Sequence, residues 1–434
     1  MGKGGYKNGH KDYPTYTWDE VGEHTHMDDK WIVVNDDIYD ITHFSKKHPG
    51  GARLISHFAG QDATDAWTAF HDHKDMVSKY MKPIKVGTLC NDKQVQIKRD
   101  FRKLREKAEE MDLFKVKTPF YLAHIGHIIA LEVIGYLLLK YYGIGWGPWL
   151  LAAAILATAQ AQSGWSQHDY GHLSVFPNSK LNHLMHHFVI GTLKGASSNW
   201  WNHRHYQHHA KPNVALMDPD ISLPYVFILG KRLARVWGEK KREGFLPYQF
   251  QHIYYFVFGP PLLLPTYFHF ENIYFVIKRK LWGDLFATVS FFVRWFVCYG
   301  PLLGGWGAFW FYMLVRSLES HWFVWVTQMS HISMEIEKDQ QADWFTSQLK
   351  STCNVHPSLF NDWFTGHLNF QIEHHLFPTM PRHNYIKIKP HVEAMAKKHG
   401  IPYVSKTLYR AFADIPRSLQ EYGELWYDAF HTTG

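Results

Sequence analysis

Cysteine is scarce in this chain: its 434 residues include three, Cys90, Cys298 and Cys353, and no two of them form a C-x-x-C pair. Three separated thiols cannot build a disulfide framework or a four-thiolate zinc site, and they suit a reducing, cytosol-facing location. Residues 1–16 are polar and glycine-rich. We therefore expect a disordered N-terminus and no cleavable signal peptide.

Acidic residues are outnumbered, 39 against 46 basic ones, for a formal net charge of +7. The deficit is uneven. Residues 17–90 hold 12 Asp and Glu against 8 Lys and Arg, a net charge of −4, which leaves +11 for the rest. We interpret the acidic part as a docking face for a basic partner and the basic part as a body that meets anionic lipid. The alternative for the acidic surface is simple solubility.

The mean hydropathy of −0.30 conceals long apolar runs. Aromatic residues make up 17% of the chain, a proportion that suits membrane interfaces. From runs long enough to cross a bilayer we predict spans at about residues 121–141, 146–166, 252–276 and 293–314. The segment before the first span, residues 93–118, is rich in Lys and Arg and places the N-terminus in the cytosol.

A pair of histidines stands within the acidic segment. His48 opens a His-Pro-Gly-Gly run, and His71 follows an Ala-Gly-Gln-Asp-Ala-Thr run. Two imidazoles on opposite sides of a pocket can hold a haem iron, and paired glycines let the backbone pass close to the porphyrin. The segment resembles cytochrome b5, which implies that His48 and His71 are the axial ligands. His73 is a close rival of His71, and His57 is expected at the surface.

Seven more histidines and one glutamine form three clusters. They read His168-x-x-x-His172, His205-x-x-His208-His209 and Gln371-x-x-His374-His375. Residues three and four positions apart share a helix face, so each cluster can direct its side chains at one point. Imidazole binds iron, zinc and copper, and three such faces brought together on one side of a membrane would hold more than one metal ion.

Other side chains compete for a place in this centre. His331 and His367 are candidates to complete the coordination. Residues 183–187 repeat the spacing of the second cluster, and they form either an outer layer or part of a polar helix. An amide is a poor iron ligand, so Gln371 is expected to hydrogen-bond a ligand or a water instead.

A centre rich in neutral imidazole and poor in carboxylate can hold two iron ions with positions open to oxygen. Reduced iron with O2 can remove hydrogen from an unactivated CH2 group, and a tethered haem can supply the electrons one at a time. Membrane spans suit a hydrocarbon substrate. The alternatives outside this chemistry are a non-enzymatic membrane haem electron carrier and a histidine-based zinc protein.

The chain over roughly residues 17–430 resembles the front-end fatty-acid desaturases, most closely the animal delta-6/delta-5 acyl-CoA type, which carry an N-terminal cytochrome b5 domain. The resemblance is carried by His-Pro-Gly-Gly, His168-Asp-Tyr-Gly-His172, His205-Tyr-Gln-His-His-Ala-Lys-Pro-Asn and Gln371-Ile-Glu-His-His. It implies that seven histidines are the di-iron ligands. These are His168, His172, His205, His208, His209, His374 and His375.

The resemblance also implies a reaction and its setting. A cis double bond would be inserted into a polyunsaturated acyl-CoA chain, between an existing double bond and the carboxyl end, with O2 as co-substrate. Electrons would pass from NADH through cytochrome b5 reductase and haem b, at the endoplasmic reticulum membrane, with the haem domain and histidine clusters cytosolic. A sphingoid-base or other lipid desaturase and a b5-fused lipid hydroxylase are the alternatives.

These observations predict an architecture in two parts. An α+β cytochrome b5-like domain, residues 17–92, is followed by a basic linker helix, residues 93–118. An all-α membrane domain, residues 119–434, would carry four transmembrane helices and a cytosolic multi-histidine di-iron cap. We expect membrane lipid as a partner and no nucleic acid.

Overall fold

The computed structural model describes residues 13–71, 74–90, 95–223 and 225–432. The chain divides into two units, Met1–Gln96 and Ile97–Gly434. The first contains the predicted haem pair and the second contains all three predicted metal-binding clusters.

The first unit is an α+β fold, as predicted. Its elements are β1 (Thr15–Tyr16), α1 (Trp18–Glu23), β2 (Thr25–His26), β3 (Asp29–Val34), β4 (Asp37–Asp40), α2 (Ala52–Ser56), α3 (Thr64–Phe70), α4 (Lys74–Met81) and β5 (Lys85–Leu89). The sheet order is β1-β5-β4-β3-β2, with β1 parallel to β5 and the other pairs antiparallel. Alternate residues of a strand point to opposite faces. Accordingly, Ile32 and Val34 enter one apolar cluster and Val33 enters another.

The second unit is mostly helical. Its elements are α5 (Gln96–Glu110), α6 (Thr118–Tyr142), α7 (Trp146–Gly171), α8 (Ser179–His186), a π-helix (His187–Leu193), α9 (Ser198–Ala210), α10 (Lys231–Glu239), α11 (Gln251–Phe258), α12 (Pro260–Leu262), a second π-helix (Leu263–Phe268), α13 (His269–Lys278), α14 (Trp282–Gln328), α15 (Trp344–Ser351), β6 (Asn354–Val355), α16 (Leu359–Phe364), α17 (Gln371–Leu376), α18 (Tyr385–Lys398), β7 (Ser405–Lys406) and α19 (Leu408–His431). Short 3₁₀ turns join several of them.

Helix α5 occupies most of the predicted basic linker. It buries an apolar face made of Ile97, Phe101, Leu104 and Ala108. The Phe101 ring lies 5.6 Å from that of Phe377. The helix is therefore packed as part of the second unit and is not a free connector.

Among the described residues, α6 and α14 are long and apolar enough to cross a membrane. Helix α6 pairs with α7 after a short turn at Gly143, which has a positive φ of 82°. Large apolar side chains of α6 face outward, including Leu122 at 67% exposure. Such an apolar outer face suits lipid better than water. The second predicted span, residues 146–166, lies in α7, whose side chains are mostly buried.

Helix α14 is a hairpin of two helices that meet at Gly304, where φ is 72° and ψ is 167°. The Trp295 indole N–H donates to the carbonyl of Ala308 at 3.0 Å. In a straight helix these residues would stand about 20 Å apart, so the chain reverses between them. The predicted span at residues 293–314 contains this turn. Those residues therefore form the end of one helix and the start of the next.

The predicted span at residues 252–276 also differs from the structure. Helix α11 ends at Gly259, and the segment continues as α12, a π-helix and α13. Pro260, Pro261 and Pro265 fall within this broken stretch, and proline lacks the backbone N–H that a continuous helix needs. None of the four pieces is long enough to cross a bilayer alone.

Candidate functional site

Five imidazoles from three segments converge in the second unit. One ring nitrogen of each lies within 4.8 Å of the corresponding nitrogen of every other. They are His168 and His172 at the end of α7, His205 and His209 on α9, and His374 on α17. We call them the first histidine group.

Three more imidazoles, all buried, form a second histidine group under the same distance limit. They are His208 on α9, His331 just after α14, and His375 on α17. The rings of His209 and His375 stack at a centroid distance of 4.1 Å, which places the two groups side by side. The seven histidines of the predicted clusters thus divide into five in the first group and two in the second, where His331 is the third member.

The outer nitrogens of four rings are held by protein groups. The contacts are His208 Nδ1 to Asp218 Oδ2 at 2.9 Å, His374 Nδ1 to Tyr385 Oη at 2.9 Å, His375 Nδ1 to Gln348 Oε1 at 2.9 Å and His331 Nδ1 to the Ser351 carbonyl at 3.1 Å. Fixing Nδ1 sets the tautomer and turns Nε2 toward the centre of the group. Within the described part of the chain, the buried Nε2 atoms of His374 and His375 have no hydrogen-bond partner.

The inner nitrogens are crowded in a way that fits a metal ion. His205 Nε2 lies 2.8 Å from His172 Nε2 and 3.0 Å from His209 Nε2. One proton cannot satisfy three facing nitrogens. Two nitrogens that each bind a metal at about 2.0–2.1 Å and at right angles stand about 3 Å apart. The donor set and its spacing therefore fit a bound cation.

Burial keeps these imidazoles in their metal-binding form. Burial and neighbouring imidazoles lower the pKa of His205, His209 and His374 well below the ordinary value. Neutral imidazole is the form that coordinates metal. Burial also acts to lower the pKa of His208, but the Asp218 carboxylate overrides it and raises that pKa. Asp218 is itself fixed by the backbone N–H of Asn213 at 2.8 Å.

Buried polar contacts anchor the third cluster. The Asn354 side-chain carbonyl accepts from the backbone N–H of Ile372 at 2.8 Å. Asn354 Nδ2 and the Tyr403 hydroxyl both donate to the Glu373 carboxylate, at 2.7 and 2.6 Å. Glu373 precedes His374, so this network positions the two histidines of α17.

The predicted haem pair is brought together in the first unit. The rings of His48 and His71 lie 6.2 Å apart, about twice the distance from a metal to the centre of an imidazole that binds it. His71 Nδ1–H donates to the Trp67 carbonyl at 2.9 Å, which leaves Nε2 for iron. Burial and the neighbouring His71 lower the pKa of His48 to about 4. A Cβ at Gly50 would lie 3.0 Å from the His48 ring, so glycine permits this close approach.

Two family models match this chain, and each covers part of one unit. The family model described as fatty acid desaturase matches residues 144–407, more than half of the chain. The chain belongs to the fatty acid desaturase family. The model for the cytochrome b5-like haem/steroid binding domain matches residues 17–90. A solved structure, cytochrome b5 of Ostreococcus tauri virus 2, is 33% identical over 17% of this chain and 95% of that chain, with a TM-score of 0.17.

Family membership makes this desaturase an oxidoreductase of lipid metabolism with a fused haem domain as electron donor. It also implies iron and O2, and the two histidine groups provide ligands suited to iron. The predicted desaturase family and cytochrome b5 fusion are confirmed at this level.

A cavity runs through the desaturase domain beside the histidines. His168, His205, His208 and His331 contribute to its wall. One part of the cavity lies near α11 and α19 and is lined by apolar side chains, including Phe227. The other part of the cavity extends along α7 and α14. An elongated cavity of this kind can hold a hydrocarbon chain next to the histidine groups.

The structure places the two additional candidate ligands, His331 and His367, in different surroundings. His331 lies in the second histidine group, whereas His367 packs against Phe120 at 5.8 Å, away from both groups. Gln371 Nε2 lies 3.0 Å from His331 Nε2, so the amide contacts a candidate ligand, as expected. Of residues 183–187, His186 is buried and its Nε2 hydrogen-bonds Gln167 Oε1 at 2.8 Å, whereas His183 is exposed on α8.

Two expectations for the desaturase differ or fall outside the structure. His57 was expected at the surface but is 7% exposed, because it ends helix α2 inside the haem domain. His73, the rival of His71, lies outside the described residues. Sequence reasoning also missed the groups that hold Nδ1 atoms. Asp218, Gln348 and Tyr385 stand at no fixed spacing from the histidines they contact.

Proposed function

We propose that the chain is a front-end desaturase of polyunsaturated acyl-CoA. It would insert a cis double bond between an existing double bond and the carboxyl end of the chain. The observation that carries this proposal is the pair of histidine groups beside an elongated cavity, within a fatty acid desaturase fused to a haem domain. Glutamine at the start of the third cluster supports assignment to the front-end type.

We assign the seven histidines of the three clusters, together with His331, as ligands of two iron ions. The metal pair, when bound, would supply the chemistry of O2 reduction: O2, two electrons and two protons would take up two hydrogens from neighbouring carbons, which leaves a double bond and two waters. The protein's own part is to keep the imidazoles neutral, to fix their orientation through groups such as Asp218, and to hold the acyl chain at the cavity wall. Gln371 would hydrogen-bond a water beside the centre rather than act as a ligand, because the single lone pair of His331 Nε2, which it lies against, would be given to iron.

We propose four membrane crossings: α6, α7 and the two halves of α14, with residues 251–278 along the interface. Two crossings then separate the second cluster from the third, so all three lie on one side. Aromatic residues mark the opposite turns, including Tyr142 and Trp306, at 77% and 78% exposure. We place this arrangement in the endoplasmic reticulum membrane with the histidine groups and the haem domain in the cytosol.

The haem domain would receive its electrons from NADH through cytochrome b5 reductase. Its net charge of −4 over residues 17–90 supports a basic partner surface. His48 and His71 would both bind the haem iron, so this group would supply electron transfer and not oxygen binding.

Expression in yeast supplied with polyunsaturated fatty acids tests the proposal. Mass spectrometry of the products should show one new double bond on the carboxyl side of the existing ones. A hydroxylated chain or an altered sphingoid base would instead assign one of the two related reactions. Cells with an empty vector give the background, and wild-type protein that makes no new lipid product contradicts the proposal.

A further inference from the structure

The deep part of the cavity has a polar wall. We use the name deep arm for the part lined by Gly164, Ile190, Lys194, Leu264, Arg316 and Phe323. Arg316 is 12 residues before Gln328, which lines the same cavity near the histidines, and this corresponds to about 18 Å of helix. The deep arm therefore extends from the histidine groups well along α14.

Two cations and one carboxylate meet at the deep arm. The Lys194 ammonium is paired with Glu319, and Arg316 Nη1 contacts the same carboxylate. All three are buried, with Glu319 at 0% exposure. Gln160 adds an acceptor to each cation: its backbone carbonyl lies 3.2 Å from Lys194 Nζ and its side-chain oxygen 3.0 Å from Arg316 Nη1. Burial and the neighbouring Arg316 act to lower the pKa of Lys194, whereas the Glu319 carboxylate in contact with it holds the ammonium charged, which gives the three groups one positive charge in excess.

A buried charge beside an acyl chain costs free energy unless the chain provides a group that can interact with that charge. A saturated chain offers only C–H groups. The π electrons of a cis double bond can accept an N–H, as an aromatic face does. Glu319 and Gln160 take two of the three ammonium hydrogens of Lys194, which leaves one for the cavity among the described contacts.

Aromatic side chains lie beside the Lys194 ammonium. The Phe323 ring lies 5.6 Å from Lys194 Nζ and stacks on Trp165 at 4.8 Å. Both rings line the cavity. A wall that combines stacked rings with a buried ammonium matches a π-rich chain better than a saturated one.

We propose that Lys194, held by Glu319, is a specificity-determining residue that favours acyl chains with cis double bonds in the deep arm. The inference rests on the proposed function and deepens it, since it names the part of the substrate that the arm distinguishes. Arg316 balances Glu319, so removal of Lys194 leaves a neutral ion pair and not an isolated buried charge.

Competition between two matched substrates tests this role. Yeast producing full-length protein would be fed equal amounts of an acyl chain with one cis double bond and a chain of the same length with two. Wild-type protein should favour the diene. Lys194→Met should lower the ratio of diene to monoene conversion about fivefold, whereas Lys194→Arg should retain at least half of the wild-type ratio.

The matched control is Lys406→Met. It removes a half-buried lysine whose partner, Asp414, keeps Arg410 at 2.9 Å, and Lys406 does not line the cavity, so the ratio should stay within twofold of wild type. Phe323→Leu, which removes the ring beside Lys194, should shift the ratio in the same direction and serves if Lys194→Met does not fold. An unchanged ratio in Lys194→Met or Phe323→Leu with wild-type haem and iron content overturns the inference, as does an equal shift in the control. Wild-type protein without any desaturated product would remove the proposed function and this inference together.

Discussion

The haem pocket and the histidine groups are both metal sites built from imidazole, but the chain assembles them differently. The haem pocket uses His48 and His71 from one small unit, with Gly50 beside them. The histidine groups draw on α7, α9, the end of α14 and α17. The first site is encoded in one short stretch, whereas the second exists only when distant helices pack. Variants that affect one site and spare the other test this difference.

The largest effect is expected at the histidine groups. His374→Ala removes a buried imidazole from the first group and should lower product formation at least a thousandfold, while the haem absorption spectrum stays unchanged. Mass spectrometry of lipid products and visible spectroscopy measure the two effects. His391→Ala, on α18 and outside both groups, should retain activity. Product from His374→Ala at near wild-type level would refute the ligand assignment.

At the haem pocket we expect the opposite result: the haem is lost and the iron of the histidine groups is kept. His48→Ala should abolish the haem absorption of the purified protein and leave the iron of the histidine groups in place, because the two sites share no residue. Product should also fall, since electrons no longer arrive. His43→Ala changes an exposed histidine of the same unit and should retain haem. Loss of the non-haem iron in His48→Ala would mean that the sites are not independent.

A smaller effect, on iron content, distinguishes His331 from His367, which the sequence predicted equally as additional ligands. His331→Ala should lower the non-haem iron by about one atom per chain, because it leaves the second group with two imidazoles. His367→Ala should leave the iron content at its wild-type value, because His367 lies against Phe120. Elemental analysis of purified proteins measures both. Equal iron loss in the two variants, or none in either, would contradict the assignment of His331.

The smallest effect is expected from a group that holds a ligand. Asp218→Asn keeps the shape but weakens the charge-assisted bond to His208, and it should lower iron affinity about 10- to 100-fold. Iron retention during titration with a chelator measures this. Asp362→Asn changes a carboxylate of similar size outside both groups and is the control. Wild-type iron affinity in Asp218→Asn would show that the contact does not support the site.

Much of the haem pocket could be predicted, because its ligands belong to short local runs. Spacing also predicted which histidines of the second unit come together, since residues three and four apart share a helix face. The division into two groups was not predictable. His208 and His209 are adjacent, but successive helix residues point about 100° apart, and packing decides which neighbours each one meets.

The membrane segments also depend on tertiary packing that the sequence pattern does not record. Helix α6 was predicted closely because an apolar run bounded by polar residues defines it. The turn at Gly304 was missed, because the sequence stays apolar on both sides and only the positive φ reveals the reversal. Tertiary contacts such as Trp295 to Ala308 define that hairpin.

Elemental analysis of the purified full-length protein tests the central claim most directly. The two histidine groups and the haem pair predict about three iron atoms per chain, one of them extracted with the haem and two released only from the protein. Zinc in place of the two non-haem irons, or iron in the haem alone, would contradict the account.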